Sequence, residues 1–210
     1  MIDEPRTILA IEAAIRGGSL SLIRDQHEIG HWKGESSVSR AEDLLVNIDS
    51  LLADSKITGH QIDLIAVSAG PGSFTGIRIG IATALGLSSG FGKNLASESA
   101  LEAMAFSAPD LGDLSCALPV GRDAICWQRF ERTESGLLAL NEPQTQSEDQ
   151  FISFVNNVAE STFILYSSLF AKVQKTSRIV DFGYNLAYAI GCLCAQNKAI
   201  KNPLFVSKSF

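Results

Sequence analysis

The feature that most constrains the fold is a glycine-rich segment between a buried strand and a helix. Residues 62–68 form a continuous apolar run, typical of a strand buried on both faces. Gly70 to Gly80 follow directly, with the sequence GPGSFTGIRIG. Apolar spacing then predicts a helix over residues 75–89. The succession of buried strand, glycine turn and helix predicts a mixed α/β unit.

The glycine turn supports two interpretations. Backbone N–H groups and the helix dipole favour an anion at such a position, which makes a phosphate cradle possible. The spacing G-x-G-x-x-x-G is one residue longer than the dinucleotide fingerprint, and the segment lacks the G-K-S/T ending of a P-loop. A tight turn without a ligand, capped by Ser73 or Thr75, explains the pattern as well. The candidate phosphate-binding residues are Gly70, Gly72, Ser73, Thr75 and Gly76.

The helix after the turn carries a stripe of small residues. Gly76, Gly80, Ala84 and Ser88 are each four residues apart and therefore share one helix face. Small residues on one face let another backbone approach closely. The spacing alone leaves open whether this contact forms inside the monomer or between chains.

The rest of the chain repeats one order of elements. Strands are predicted at 7–13, 19–23 and 29–33, a helix at 38–55, a further strand at 94–97, and a helix from the cap Ser99 to Phe106. The second half has strands predicted at 114–120, 124–130, 137–140 and 162–166, and helices at 151–158 and 184–196. We expect a first lobe at 1–100, a reduced second lobe at 101–182, and a helix at about 183–200 that packs back on the first. Residues 141–150 are predicted to be a loop.

One segment matches a zinc-protease pattern. His27, Glu28 and His31 fit H-E-x-x-H, which needs both histidines one turn apart on a helix. This segment follows an alternating strand and has Gly30 at its centre. In an extended strand the two histidines would lie about 13 Å apart, too far for one zinc ion. We therefore predict no metal site.

Isolated reactive groups are few. Glu12, at the end of the first strand, is the best single carboxylate, although it could simply face solvent or a backbone amide. No catalytic residue is predicted. The four cysteines lack C-x-x-C spacing and lie in apolar surroundings, which favours buried structural thiols.

The charge balance bears on possible partners. Lysine and arginine number 17 and aspartate and glutamate 23, so the net charge is −6. This argues against gripping nucleic acid through bulk charge. The start of the chain does not resemble a signal peptide, and the longest uncharged stretch, at 182–197, has 16 residues. A cytoplasmic protein without a membrane span is expected.

The motif from Gly70 to Gly80, with Ile65-Ala66-Val67 before it, strongly resembles the signature of the TsaB (YeaZ) family. The resemblance covers residues 7–106 well and is weak over 107–178. It implies an actin-like (ASKHA, ribonuclease H-like) fold of two lobes, the second reduced. It also implies a non-catalytic scaffold that binds TsaD in the pathway to threonylcarbamoyladenosine on tRNA.

The family resemblance extends to partners. It implies that TsaE joins the complex, that ATP or ADP binds in the complex rather than to this chain alone, and that tRNA is contacted only indirectly. A homodimer is an open possibility. First-lobe helices form the family's dimer interface. The candidate interface residues are Leu44, Ile48, Gly76, Gly80, Ala84 and Ser88.

The sequence also departs from the superfamily pattern. The first strand of the superfamily ends in Asp followed by Ser or Thr, which orient phosphate and its metal; here it reads Glu12-Ala13-Ala14. A His-Ser-Glu that often opens the first long helix is replaced by Arg40-Ala41-Glu42. These changes weaken an ATP site and favour a scaffold. The alternative is an enzyme, either a nucleotide-dependent transferase or a glycoprotease-like hydrolase.

Overall fold

The computed structural model describes residues 6–35, 43–108, 112–121, 123–157, 162–174, 178–183 and 185–196. The first sheet contains β1 (Thr7–Glu12), β2 (Ser19–Arg24), β3 (His27–Lys33), β4 (Leu64–Ser68) and β5 (Asn94–Glu98). The second contains β6 (Gly112–Pro119), β7 (Ala124–Thr133), β8 (Gly136–Ala139), β9 (Gln144–Ser147), β10 (Thr162–Tyr166) and β11 (Ile179–Phe182). The helices are α1 (Leu44–Asp54), α2 (Phe74–Phe91), α3 (Ala100–Phe106), α4 (Glu148–Asn157), α5 (Ser167–Phe170) and α6 (Leu186–Gln196).

The two sheets share one topology. In the first, the strand order is β3-β2-β1-β4-β5, with an antiparallel β1–β2–β3 meander and with β4 and β5 parallel to β1. In the second, the order β8-β7-β6-β10-β11 repeats this arrangement, and β9 pairs with β7 beside it. The duplicated α/β organisation predicted from the sequence is confirmed. The lobe boundaries at residues 100 and 182 stay a prediction.

Helices and sheets alternate in five layers. Helices α1 and α2 cover one face of the first sheet, where Leu9, Ile11 and Val67 meet their apolar sides. Helices α3 and α6 lie between the two sheets and share a core with both. Helix α4 packs on the far face of the second sheet through Phe151 and Val155. No helix within the described residues is long and apolar enough to cross a membrane.

Polar contacts at the start of α6 tie it to the first sheet. The Asn185 side chain donates to the carbonyl oxygen of Leu20 at 2.9 Å and to the Glu28 carboxylate at 3.0 Å. The Oδ1 atom of Asn185 accepts the Ala187 N–H at 3.1 Å. The same N–H also donates to the Ser19 hydroxyl at 3.2 Å. One amide therefore joins α6 to two residues of the β2–β3 hairpin.

The structure corrects the prediction that residues 141–150 are a loop. Residues Gln144–Ser147 form β9, and α4 begins at Glu148. Strand β9 lies at a sheet edge, so its sequence QTQS lacks the apolar alternation by which a strand is recognised. The helix predicted over 38–55 is observed from Leu44 to Asp54, and residues 36–42 lie outside the described ranges.

We predict that Asn185→Ala lowers the free energy of unfolding by about 1–2 kcal/mol, because it leaves the partly buried Leu20 carbonyl and Ala187 N–H each without one partner. Urea denaturation followed by circular dichroism measures this change. The control is Asn157→Ala in α4, whose exposed amide bonds only to Ser153 one turn earlier. This control should change stability by less than about 0.5 kcal/mol. Equal effects of the two variants would contradict the stabilising role proposed for the hydrogen bonds of Asn185.

Candidate functional site

The carboxyl ends of three neighbouring strands meet beside the glycine turn. Glu12, Ser68 and Glu98 end β1, β4 and β5, and all three side chains are buried. The Ser68 hydroxyl accepts the N–H of Gly70 at 3.2 Å. In α/β sheets this edge is where ligands and partners are commonly bound. It is therefore the candidate functional site.

Hydrogen bonds within the chain use both backbone groups of Gly70 and of Ser73. The N–H of Ser73 donates to the Ala14 carbonyl oxygen at 2.7 Å, and the Gly70 carbonyl accepts the Ala100 N–H at 2.8 Å. Ser73 is the N-cap of α2, and its hydroxyl accepts the Gly76 N–H at 3.4 Å. These bonds describe a tight capped turn. Phosphate binding by Gly70, Gly72, Ser73, Thr75 and Gly76 stays a prediction.

Glycine is required where the turn meets the segment after β1. A Cβ atom on Gly72 would lie 2.6 Å from the Ala14 carbonyl oxygen. A Cβ atom on Gly76 would overlap the Ala13 carbonyl oxygen. The start of α2 therefore rests directly on the backbone of residues 13–14, with no side chain between them.

The small-residue stripe faces the interior of the monomer. Gly76, Gly80 and Ala84 are buried, and a Cβ atom on Gly80 would lie 3.3 Å from the Ala13 side chain. At the end of the stripe, the Ser88 hydroxyl donates to the Lys93 carbonyl oxygen at 2.6 Å. In this structure the close approach predicted by the spacing is made by the segment that follows β1 in the same chain. The interface role inferred for Gly76, Gly80, Ala84 and Ser88 stays a prediction.

The buried positions of α1 also face the interior of the chain. Leu44 and Ile48, named as interface residues from the sequence, point into the core of the first sheet with Leu51 and Leu52. The interface role inferred for Leu44 and Ile48 stays a prediction, and the exposed surface of α1 and α2 consists of other residues. The exposed apolar side chains on these two helices are Leu45, Val46, Phe74 and Leu85.

Sequence reasoning missed this outward set, although one signal was present. Leu44, Leu45 and Val46 are three consecutive apolar residues, and at about 100° per residue they cannot all face one sheet. Phe74 opens α2 and is 61% exposed, with the guanidinium of Arg78 stacked 3.7 Å from its ring centroid. We call Leu45, Val46, Phe74, Arg78 and Leu85 the outer helix face.

The Glu12 carboxylate turns back onto its own chain. Its Oε1 atom accepts the N–H groups of Ala14 at 2.6 Å and Ile15 at 2.8 Å. Burial raises the pKa of Glu12 to about 7, and the bonds from Ile15 and Ala14 partly oppose this shift. The sequence left open whether Glu12 faces solvent or a backbone amide, and the structure shows contact with backbone amides.

A tyrosine of the second sheet lies close enough to interact with this carboxylate. Tyr166 ends β10, the strand of the second sheet that corresponds to β4 in the first. Burial, followed by the charge of Glu12, raises the pKa of Tyr166 to about 12. The charge of Glu12, at the end of β1, therefore acts on a residue of the second sheet. Nothing in the sequence pattern indicated this pairing.

The remaining predicted groups do not converge. His27 and His31 lie in the extended strand β3, which confirms the strand prediction and separates them. Cys116, Cys126 and Cys194 are buried and Cys192 is half-buried, and all four are free thiols. Within the described ranges no cluster of three metal-ligating side chains occurs.

The two-sheet α/β architecture, with each sheet in the order 3-2-1-4-5, defines an actin-like fold. The solved structure of YeaZ from Pseudomonas aeruginosa matches with a TM-score of 0.67 over 91% of each chain, at 18% sequence identity. The profile of the family of TsaD, tRNA N6-adenosine threonylcarbamoyltransferase, matches residues 35–157, more than half of the chain. The chain belongs to this family, within its TsaB (YeaZ) branch.

Curated relatives carry the same family name. The chain is 34% identical to the tRNA threonylcarbamoyladenosine biosynthesis protein TsaB of Haemophilus influenzae over 50% of its length. It is 29% identical to the TsaB protein of Escherichia coli over 62% of its length. The matches span 44% and 57% of these two relatives, less than two thirds of each.

We predict opposite effects of alanine at two glycines of α2. Gly76→Ala should destabilise the protein by about 1–3 kcal/mol or more, because the new methyl group overlaps a backbone carbonyl that cannot rotate away. Gly86→Ala should stabilise it by about 0.5–1 kcal/mol, because nothing lies within 4 Å of the new atom. Thermal and urea unfolding measure both changes. A stable Gly76→Ala variant would contradict the described contact.

The raised pKa of Glu12 predicts a pH-dependent stability. The folded chain holds this proton up to about pH 7, whereas the ordinary value is 4.5, so stability is full at low pH and falls as the pH rises from about 4.5 to 7. Glu12→Gln should remove this fall and be more stable than the wild type at pH 8 by up to about 3 kcal/mol. Urea denaturation from pH 4 to pH 8 tests this. The exposed Glu142→Gln control should keep the wild-type profile.

Proposed function

We propose that the chain is a non-catalytic scaffold subunit in the formation of threonylcarbamoyladenosine on tRNA, and that it binds and activates TsaD. Membership of the TsaB branch supports the pathway, because the related proteins are named for that biosynthesis. The observation that carries the binding role is the outer helix face. It exposes large apolar side chains on two helices whose opposite sides are buried against the first sheet.

The outer helix face has the composition of a protein contact surface. Aromatic residues and arginine are enriched at interface centres, and Phe74 and Arg78 supply both on the first turns of α2. Leu45 and Val46 add exposed aliphatic area on α1, which neighbours α2 on the same sheet face. Burying these groups against TsaD would remove apolar surface from water.

Charge supports an indirect contact with tRNA. A chain with a net charge of −6 provides little of the phosphate neutralisation that drives RNA binding. We therefore propose that TsaD holds the tRNA, that TsaE joins the assembly, and that ATP or ADP binds in the complex. The proposed compartment is the cytoplasm, where tRNA modification takes place.

Co-purification with TsaD and light scattering of the complex test the scaffold role. Leu45→Asp and Phe74→Asp should each weaken TsaD binding about tenfold or more, because a carboxylate replaces an apolar group that the complex would bury. Both positions lie in the first turn of a helix, where an acidic side chain is compatible with folding. The matched control is Leu138→Asp in β8, because Leu138 and Leu45 are both 58% exposed.

Each alternative has a distinct result. Wild-type binding by Leu45→Asp and Phe74→Asp would place the interface elsewhere. No binding of TsaD by the wild-type chain would refute the scaffold role. Light scattering of the wild type and of Leu45→Asp, each without TsaD, reports whether the same face joins two copies. Heat released by ATP and Mg²⁺ with the isolated chain would instead favour the nucleotide-dependent transferase.

A further inference from the structure

The segment after β1 connects the interior of the molecule to the outer helix face. Glu12 is 1% exposed, and one oxygen of its carboxylate accepts two consecutive N–H groups, those of Ala14 and Ile15. Two successive N–H groups that converge on one point form a site for an anion. Here the chain's own carboxylate fills that position and fixes the conformation of residues 13–15.

Residues 13–15 in turn support the start of α2. The Ala14 carbonyl accepts the Ser73 N–H at 2.7 Å, and the Ser73 carbonyl accepts the Ile77 N–H at 2.8 Å. Gly72 and Gly76 lie against the backbone of the same segment without room for a side chain. A shift of residues 13–15 would therefore displace the first turn of α2.

The first turns of α2 carry the polar and aromatic part of the outer helix face. Phe74 immediately follows the N-cap Ser73, and Arg78 stacks on its ring one turn later. Neither side chain can keep its direction if the N-cap moves. A continuous path of bonds thus leads from the buried carboxylate to the two exposed groups.

We propose that Glu12 is a positioning residue for partner binding: its carboxylate holds residues 13–15, and these hold the turn that presents Phe74 and Arg78. The inference rests on the proposed function, because it assumes that the outer helix face contacts TsaD. It assigns to Glu12 a hydrogen-bonding role in place of the phosphate-orienting role of the superfamily's aspartate.

The test compares two replacements of similar size. Glu12→Gln keeps a carbonyl oxygen that can accept both N–H groups, whereas Glu12→Met keeps the length of the side chain and removes the acceptor. Amide hydrogen exchange at Ser73 and the dissociation constant for TsaD are measured for both. Glu12→Met should exchange at Ser73 about tenfold faster and bind TsaD about tenfold more weakly. Glu12→Gln should stay within about threefold of the wild type in both measurements.

A buried substitution away from the path controls for general destabilisation. Val155→Ala in α4 creates a cavity in the second core and should lower stability without changing Ser73 exchange or TsaD binding. If Glu12→Met does not fold, Glu12→Ala is measured with and without formate. Formate should restore slow Ser73 exchange and TsaD affinity by supplying the missing acceptor.

The outcomes separate this inference from the proposed function. Unchanged Ser73 exchange in Glu12→Met, or equal losses of TsaD affinity in Glu12→Met and Val155→Ala, would overturn the inference. Faster Ser73 exchange with unchanged TsaD affinity would also overturn it and leave the scaffold role standing. If wild-type chain and TsaD do not associate, the scaffold role fails and the inference fails with it, although Ser73 exchange still reports whether Glu12 holds the turn.

Discussion

The contact of Gly76 with the backbone of Ala13 is the constraint on which the functional edge of the molecule depends. Because no side chain separates them, the start of α2 packs directly against the backbone that follows β1. The inward side of α2 is then fully used, with Gly80 and Ala84 continuing the close packing. Whatever the helix contributes to recognition must come from its outward side, which is where Phe74 and Arg78 lie.

The local elements of the fold could be predicted because their signals are local. An apolar run, a glycine turn and helical spacing are each contained within about twenty residues, and the observed α2 and β4 follow them. Strand β9 could not be predicted, since its four polar residues owe their conformation to pairing with β7 rather than to their own pattern. The spacing of the small residues predicted a close approach but not its partner, because Ala13 is distant in sequence.

The sequence predicted the positions of the candidate site residues but not their surroundings. The sequence singled out Glu12 and Ser73 by position, at the end of a strand and the start of a helix. It could not give their environment, since the pKa of Glu12 depends on its burial, and its effect on Tyr166 depends on how the two halves of the chain pack together. In this actin-like chain, in which the first strand is followed by Ala13-Ala14, the Glu12 carboxylate binds backbone N–H groups of its own chain.

The central layer of the fold has a consequence for synthesis. Helix α6 lies between the sheets and contacts strands that precede it by more than 160 residues, as in the bond from Asn185 to Leu20. On the ribosome, the first sheet therefore emerges long before the helix that covers one of its faces. Until α6 is synthesised, the apolar face of the first sheet that it covers is exposed, and such exposed surface favours aggregation or capture by a chaperone. The first sheet therefore cannot complete its native contacts before α6 has been synthesised.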